Sequence, residues 1–242
     1  MTGTSVQATG DAGEAGSPAA DDRWRWVRSQ PYRLLIDGTL RDGADGATSQ
    51  VISPRNLQAV AEAPIAGPTD VDDAVAAARR AYDGRAWGRS SARDRALALR
   101  RIGALIETHK DELAFLDALD SGRPIGSVYF RDIAGSIDAL SFFGGQARSR
   151  TAKVAVMPDE VVIHHELLEP MGVVAEIVPW NGPLLTGVQR LAAILAAGNV
   201  AIMKPSQTSA LSFLRLAELL TEADLPPGVV TVLAGPGASV GE

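Results

Sequence analysis

Along the chain the hydrophobic pattern changes period several times, and the changes divide it into elements. From Tyr32 to Ile65, short apolar runs (Leu34-Leu35-Ile36, Val51-Ile52, Ala59-Val60) are broken at Asp37-Gly38 and Ser53-Pro54. That pattern predicts short antiparallel strands joined by turns. The period then lengthens. Val71, Val75, Ala78 and Tyr82 recur at spacings of four, three and four, one face of a helix. Thr69 with Asp72 opens it as a capping box, and Gly84 closes it. Ser91 with Asp94 repeats the start signal, and Leu99, Ile102, Ile106, Leu113 and Leu116 keep helical spacing to Ser121-Gly122. A third helix is predicted from Pro124 through Ile133, Ile137 and Leu140 to Gly144-Gly145. All three read as scaffold.

Two apolar runs, 153–157 and 161–167, flank Pro158-Asp159-Glu160, which predicts a β-hairpin too small to stand alone. Beyond it the pattern is denser. Val173, Val174, Ile177 and Val178 form a run that stops at Pro179-Trp180-Asn181; an apolar helical stretch, Pro183 to Ala197, follows; and Val200 to Met203 ends at Lys204-Pro205. Strand, helix and strand in about 35 residues is a βαβ unit with a right-handed crossover. Another helix starts at Ser209, and Val229–Leu233 is a third strand that ends at Gly235-Pro236-Gly237. The fold class is therefore α/β: an incomplete doubly wound parallel sheet (βαβαβ) preceded by helices and an antiparallel hairpin. Polar residues cluster where the strands end, and in such sheets ligands bind outside those carboxyl ends.

Composition narrows the chemistry. The 242 residues are 46% hydrophobic and 21% charged, suited to burying a core. A net charge of −6 argues against a nucleic-acid partner, and no apolar run reaches the ~18–20 residues that span a bilayer. Residues 1–30 are rich in Gly, Ala, Ser and Asp and read as a disordered tail. Asp11, Glu14, Asp21 and Asp22 interrupt any signal-peptide core, so the cytoplasm is the expected location. There is no cysteine, which removes disulfides, thiolate metal sites and thiol nucleophiles. His164 and His165 point to opposite faces of a strand, so no metal site is expected.

The run E-P-x-G-V-V-x-x-I-x-P-W-N-x-P-L from Glu169, followed by A-A-G-N-x-x-x-x-K-P-S from Ala196, resembles the aldehyde dehydrogenase superfamily. The resemblance covers residues 32–242 and implies the amino-terminal half of such an enzyme. Residues 31–150 would be the first strands and helices of the cofactor-binding domain, 151–168 the oligomerisation hairpin, and 169–242 the first half of the dinucleotide-binding sheet. It implies NAD or NADP as cofactor, an aldehyde as substrate, and a homo-oligomer or a complementing carboxyl-terminal half as partner. Ile177, Val178, Pro179 and Trp180 would line the nicotinamide side. Lys204, with Ser206 and Gln207, would meet the adenosine ribose, and Gly237 and Gly241 would lie beside the adenine. Asn181 would donate its amide to the oxyanion formed when a cysteine thiolate attacks the aldehyde, a contribution of about 2.7–4 kcal/mol for such donors.

The sequence departs from the family pattern at three places. Gln207 stands where a Glu is common, which makes NADP admissible. Arg190 stands for a Lys implicated in proton relay and does not release a proton near neutral pH. Gly182 replaces a common Phe. The general-base Glu and nucleophilic Cys of the family would lie beyond Glu242, so this chain alone is expected to be inactive, and the strand Val173–Val178 would lack a partner on one edge. Two other readings stay open: a non-catalytic binding or oligomerisation module that pairs with a full-length relative, and an acyl reductase of the same superfamily.

Overall fold

The computed structural model describes residues 18–84, 87–156 and 163–241. Part of the expected tail is helix α1, Pro18–Ser29, fixed by fully buried Val27 and by Arg23, whose guanidinium lies 5.7 Å from the Phe115 ring centroid. Residues 1–17 lie outside the described residues.

Next come β1 (Leu34–Ile36) and β2 (Thr39–Arg41), a two-residue hairpin with both turn residues at positive φ, Asp37 at 51° and Gly38 at 74°, as such tight hairpins require. Strands β3 (Thr48–Ile52) and β4 (Ala59–Pro64) pair separately. Helix α2 runs Pro68–Asp83, and its start differs from the expected Thr69–Asp72 box. Gly67 is the N-cap, and its N–H donates to Oδ2 of Asp70 at 2.9 Å. The buried Asp70 carboxylate also accepts from the Ala44 N–H and from Arg41, each at 2.9 Å. One acid thus fixes the helix start to the loop after β2.

The predicted long helix is two: α3 (Ala92–Thr108) and α4 (Lys110–Ser121), broken at His109. The step of seven from Ile106 to Leu113 keeps the apolar face in phase across the break, so periodicity alone cannot register it. Ser91 caps α3 as expected, its hydroxyl accepting from the Asp94 N–H at 3.1 Å. The next helix is also less regular than predicted. A short α5 (Ile125–Ser127) leads into a π-helical turn, Val128–Ile133, and then α6 (Ala134–Ser149), which passes through Gly144-Gly145.

Strands β5 (Lys153–Val156) and β6 (Ile163–Glu166) form the antiparallel hairpin, in a sheet of their own with exposed Val154 and Ile163; its loop lies outside the described residues. Strand β7 (Val173–Ile177), helix α7 (Pro183–Ala196), β8 (Val200–Lys204), α8 (Leu211–Leu220) and β9 (Val230–Val232) complete the βαβαβ unit, and a short α9 (Gly237–Val240) follows. The main sheet has the order β2-β1-β9-β8-β7, with β7, β8 and β9 parallel and β1 antiparallel to β9. The first hairpin therefore joins the central sheet, which sequence pattern did not reveal. Strand β8 is buried at every position, as the middle strand of a covered parallel sheet must be. Strand β7 is the last of the sheet, and its outer edge has no partner among the described residues. No described helix is long and apolar enough to cross a membrane.

Helices α7 and α8 meet where Gly187 faces Phe213. A Cβ at position 187 would sit 2.1 Å from Cζ of the Phe213 ring, which is fully buried. Gly187→Ala is expected to lower stability by up to about 2 kcal/mol, because overpacking of up to about 3 kcal/mol is only partly offset by about 1 kcal/mol of helix propensity. Urea unfolding of the two chains measures the difference; an equal or higher midpoint would contradict this packing.

Candidate functional site at the carboxyl ends of the parallel strands

Three loops leave the parallel strands at one end of the sheet, and each is shaped by its own residues. After β7 the chain passes through Pro179-Trp180-Asn181-Gly182 into α7, with Pro183 in the first helical turn. Gly182 has φ 153°, in the region where a side chain is strained. The N–H of Leu184 donates to Oδ2 of Asp117 at 3.2 Å, so an acid on α4 caps α7 directly behind the Asn181 loop. After β8, Lys204 leads into Pro205-Ser206-Gln207, and the Ser206 and Thr208 hydroxyls meet at 3.0 Å. After β9, Gly235 turns the chain at φ 143°, where a Cβ would come within 2.8 Å of Val240 Cγ2.

The residues singled out from sequence fall at the strand ends, on these loops or in the helices that follow them. Ile177 and Trp180 are each 62% exposed. Val178 is buried, and its N–H donates to the Lys204 carbonyl at 2.9 Å, tying the first loop to the second. Pro179 is half-buried, and Asn181 and Gln207 are exposed. Lys204 is 8% exposed; burial pushes its ammonium below the usual range, and Nζ donates to the Pro205 carbonyl at 3.2 Å. Ser206 is half-buried. Gly237 is open, with nothing within 4 Å of a Cβ built there, whereas a Cβ at Gly241 would meet the Gly237 carbonyl oxygen at 2.7 Å. Arg190 lies on α7, and its Nη1 donates to the Ile177 carbonyl at 3.5 Å.

Four charged residues behind the loops escaped sequence reading. Asp117 accepts from Leu184 and from the Ser212 hydroxyl, the latter at 3.2 Å, and burial lifts its carboxyl to about 6. Asp132, buried in the π-helical turn, is gripped by Arg123 and accepts from Arg131 Nε at 2.9 Å. Arg123 Nη1 lies 3.6 Å from where a Cβ at Gly182 would stand. Glu176, on β7, is only 4% exposed, and neither carboxylate oxygen has a hydrogen-bond partner. The available signal was acids at apolar-face positions: Asp117 and Asp120 sit among Leu113, Leu116 and Leu119, and Glu176 between Val174 and Val178.

Parallel strands joined by two crossover helices, with polar and glycine residues converging on their carboxyl ends, define one half of a doubly wound dinucleotide-binding domain. The family model for the aldehyde dehydrogenase family matches residues 41–242, and the chain belongs to that family. It is 37% identical over 221 residues to human cytosolic 10-formyltetrahydrofolate dehydrogenase, covering 90% of this chain and 24% of that protein. It is 36% identical to aldehyde dehydrogenase [NAD(P)+] 2 of Saccharomyces cerevisiae, covering 88% and 42%. Among solved structures, Pseudomonas syringae indole-3-acetaldehyde dehydrogenase, a C302A variant with NAD+ and IAA, superposes with a TM-score of 0.86 at 36% identity, covering 92% of this chain and 45% of that one. Staphylococcus aureus betaine aldehyde dehydrogenase with NAD+ gives 0.86 at 30% identity, covering 91% and 44%. The chain thus spans less than half of each of these four.

Glu176 gives this site a pH signature. Burial lifts its carboxyl from 4.5 to about 8, against the opposing pull of Arg190. Between those values the folded chain holds a proton that the unfolded chain has released, so this group lowers stability as pH rises from about 4.5 to about 8. Glu176→Gln is expected to be more stable than the parent at about pH 8, with the difference shrinking towards about pH 5. Urea unfolding at the two pH values tests this, and a pH-independent difference would contradict the buried, unpartnered state of the acid.

Proposed function

We propose that this chain is the cofactor-binding portion of an NAD(P)-dependent aldehyde dehydrogenase that oxidises an aldehyde to a carboxylic acid. The observation that carries the reading is the convergence of Asn181, Lys204 and Gly237 at the ends of three adjacent parallel strands within the family match. The residues present suit a dinucleotide. Gly237 leaves open backbone, and among the described residues the Lys204 ammonium has only a neighbouring carbonyl as partner, so it retains donors for ribose hydroxyls, with Ser206 and Gln207 next to it. Ile177, Val178, Pro179 and Trp180 would flank the nicotinamide, and Gly237 and Gly241 the adenine. When bound, the nicotinamide supplies a hydride acceptor.

The chain's own contribution to the chemistry is Asn181. Its side-chain amide donates a hydrogen bond and carries no ionisable proton, so it stabilises negative charge on the aldehyde oxygen without exchanging protons with it. The turn at Gly182 and the Asp117 cap on α7 hold the amide's loop in place. The nucleophile must come from elsewhere, because no cysteine occurs in the 242 residues. The exposed hairpin β5–β6 and the open edge of β7 favour assembly with further protein, through the hairpin with another subunit and along β7 with further strands.

Cofactor binding is testable on the chain itself. NAD+ is expected to quench the fluorescence of exposed Trp180 saturably, and Lys204→Ala to weaken binding by about 10- to 100-fold, the effect of losing a charge-assisted hydrogen bond of about 1.5–3 kcal/mol. No saturable binding, or an unchanged Lys204→Ala, would overturn the assignment. Since Gln207 carries no charge to repel a 2′-phosphate, NADP+ is expected to bind within about tenfold of NAD+, and Gln207→Glu to widen the gap; strict exclusion of NADP+ by the parent would sink this. Removal of residues 151–168 is expected to lower the oligomeric state in sedimentation velocity without loss of helicity, and an unchanged state would exclude the hairpin as the assembly element.

A further inference from the structure

A groove of about 490 Å3 runs between α3 and α6 and shares no residue with the site at the sheet ends. The two helices pack antiparallel. Gly103 faces Leu140, whose Cδ1 is 3.8 Å from where a Cβ at 103 would stand, and Gly144 faces Ala96, whose carbonyl oxygen is at 3.7 Å. On α3 the lining residues Arg93, Leu97, Arg100, Ala104 and Glu107 step by four, three, four and three, a single helical stripe. The antiparallel register puts Arg148 of α6 at the Arg93 end and Ile137 towards the Glu107 end, with Arg100 between.

The charges are not balanced along the groove. Glu107 accepts from Lys110 at 2.7 Å, so its charge is already matched. Arg93, Arg100 and Arg148 are exposed, and none makes an ion pair with an acid among the described residues. The floor between them is apolar, formed by half-buried Leu97 and Ile137 over the buried Leu99 and Leu140. The groove therefore has a cationic end, an apolar middle and, at its far end, one acid already paired with Lys110.

We propose that this groove binds a small amphipathic carboxylate, with its head group between Arg93 and Arg148 and its tail along Leu97 and Ile137. The planar guanidinium fork matches a carboxylate bidentately, and the volume is that of a small-molecule site. A folded protein partner would need an interface of at least about 1,000 Å2, which a groove of this size does not present. The proposal stands independently of the cofactor-binding reading.

The test uses the chain as it is, 15N-labelled, with octanoate as probe and octan-1-ol as its neutral counterpart. Octanoate is expected to shift amides of α3 and α6 saturably, and octan-1-ol to bind at least tenfold more weakly. Arg93→Gln with Arg148→Gln is expected to weaken octanoate at least tenfold. Gly145→Leu separates site from fold: an added Cβ there meets nothing within 4 Å, so the helix tolerates it while the side chain occupies the groove and abolishes binding. Equal binding of octan-1-ol, shifts confined to other elements, absence of saturation below millimolar octanoate, or concentration-dependent shifts of α3 and α6 without ligand would each overturn the proposal. The last outcome would assign the groove to a second copy of the chain.

Discussion

Two buried acids on α4 hold the site end of this molecule together. Asp117 accepts the N–H of Leu184 at the start of α7, and Asp120 accepts that of Leu211 at the start of α8, at 2.8 Å. The first turn of any helix leaves N–H groups without partners, and a carboxylate there also meets the positive end of the helix dipole. Both helices begin immediately after loops that leave the strand ends, so the caps fix where those loops finish. The placement is electrostatically uneasy. Burial lifts Asp117 to about 6 and Asp120 well above the usual range, with the charge of Asp132 adding to the first shift and that of Asp117 to the second. Donors meet one oxygen of each acid, from the two helix starts and the Ser212 hydroxyl, while Oδ1 of each has no hydrogen-bond partner among the described residues and Asp117 has the Arg123 guanidinium 3.9 Å away as a compensating charge.

The same geometry explains what sequence could and could not disclose. The strand ends, the Asn181 and Lys204 loops and the alternation of strand and helix were legible because each is a local pattern: an apolar run followed by Pro, Gly or a polar residue. The Ser91 cap was legible for the same reason. The shift of the α2 cap from Thr69 to Gly67 was not, because Asp70 is also held by Arg41 and the Ala44 N–H from a different segment. The break at His109 was hidden by an apolar face that stays in register through it. The π-helical turn was hidden too: Asp132 needs Arg123, nine residues earlier, to be satisfied in its buried position, and helical periodicity carries no record of such a pairing. Helix α1 read as tail because its few apolar residues dock on partners distant in sequence.

Strand β7 combines two unlike conditions. Along one edge it is tied to β8 through five paired positions, from Val173–Val200 to Ile177–Lys204. Along the other it has no partner strand among the described residues, with Ile177 exposed on one face and Glu176 buried on the other. An unpaired edge invites strand addition, and a buried acid without a partner is tolerated by remaining protonated. Both conditions belong to the strand that delivers the chain to Asn181.

The contact between Gly187 and Phe213 bears on how such a chain can change through time. A side chain cannot appear at position 187 while the ring is in place, and the ring cannot shrink first without leaving a cavity, a loss of about 3–5 kcal/mol for a buried aromatic. Neighbours coupled in this way do not contribute additively. A lineage that departs from the pair must cross a poorly folding intermediate or change both residues together. Descendants are therefore expected to inherit glycine and phenylalanine as one unit, while the exposed positions around them drift independently.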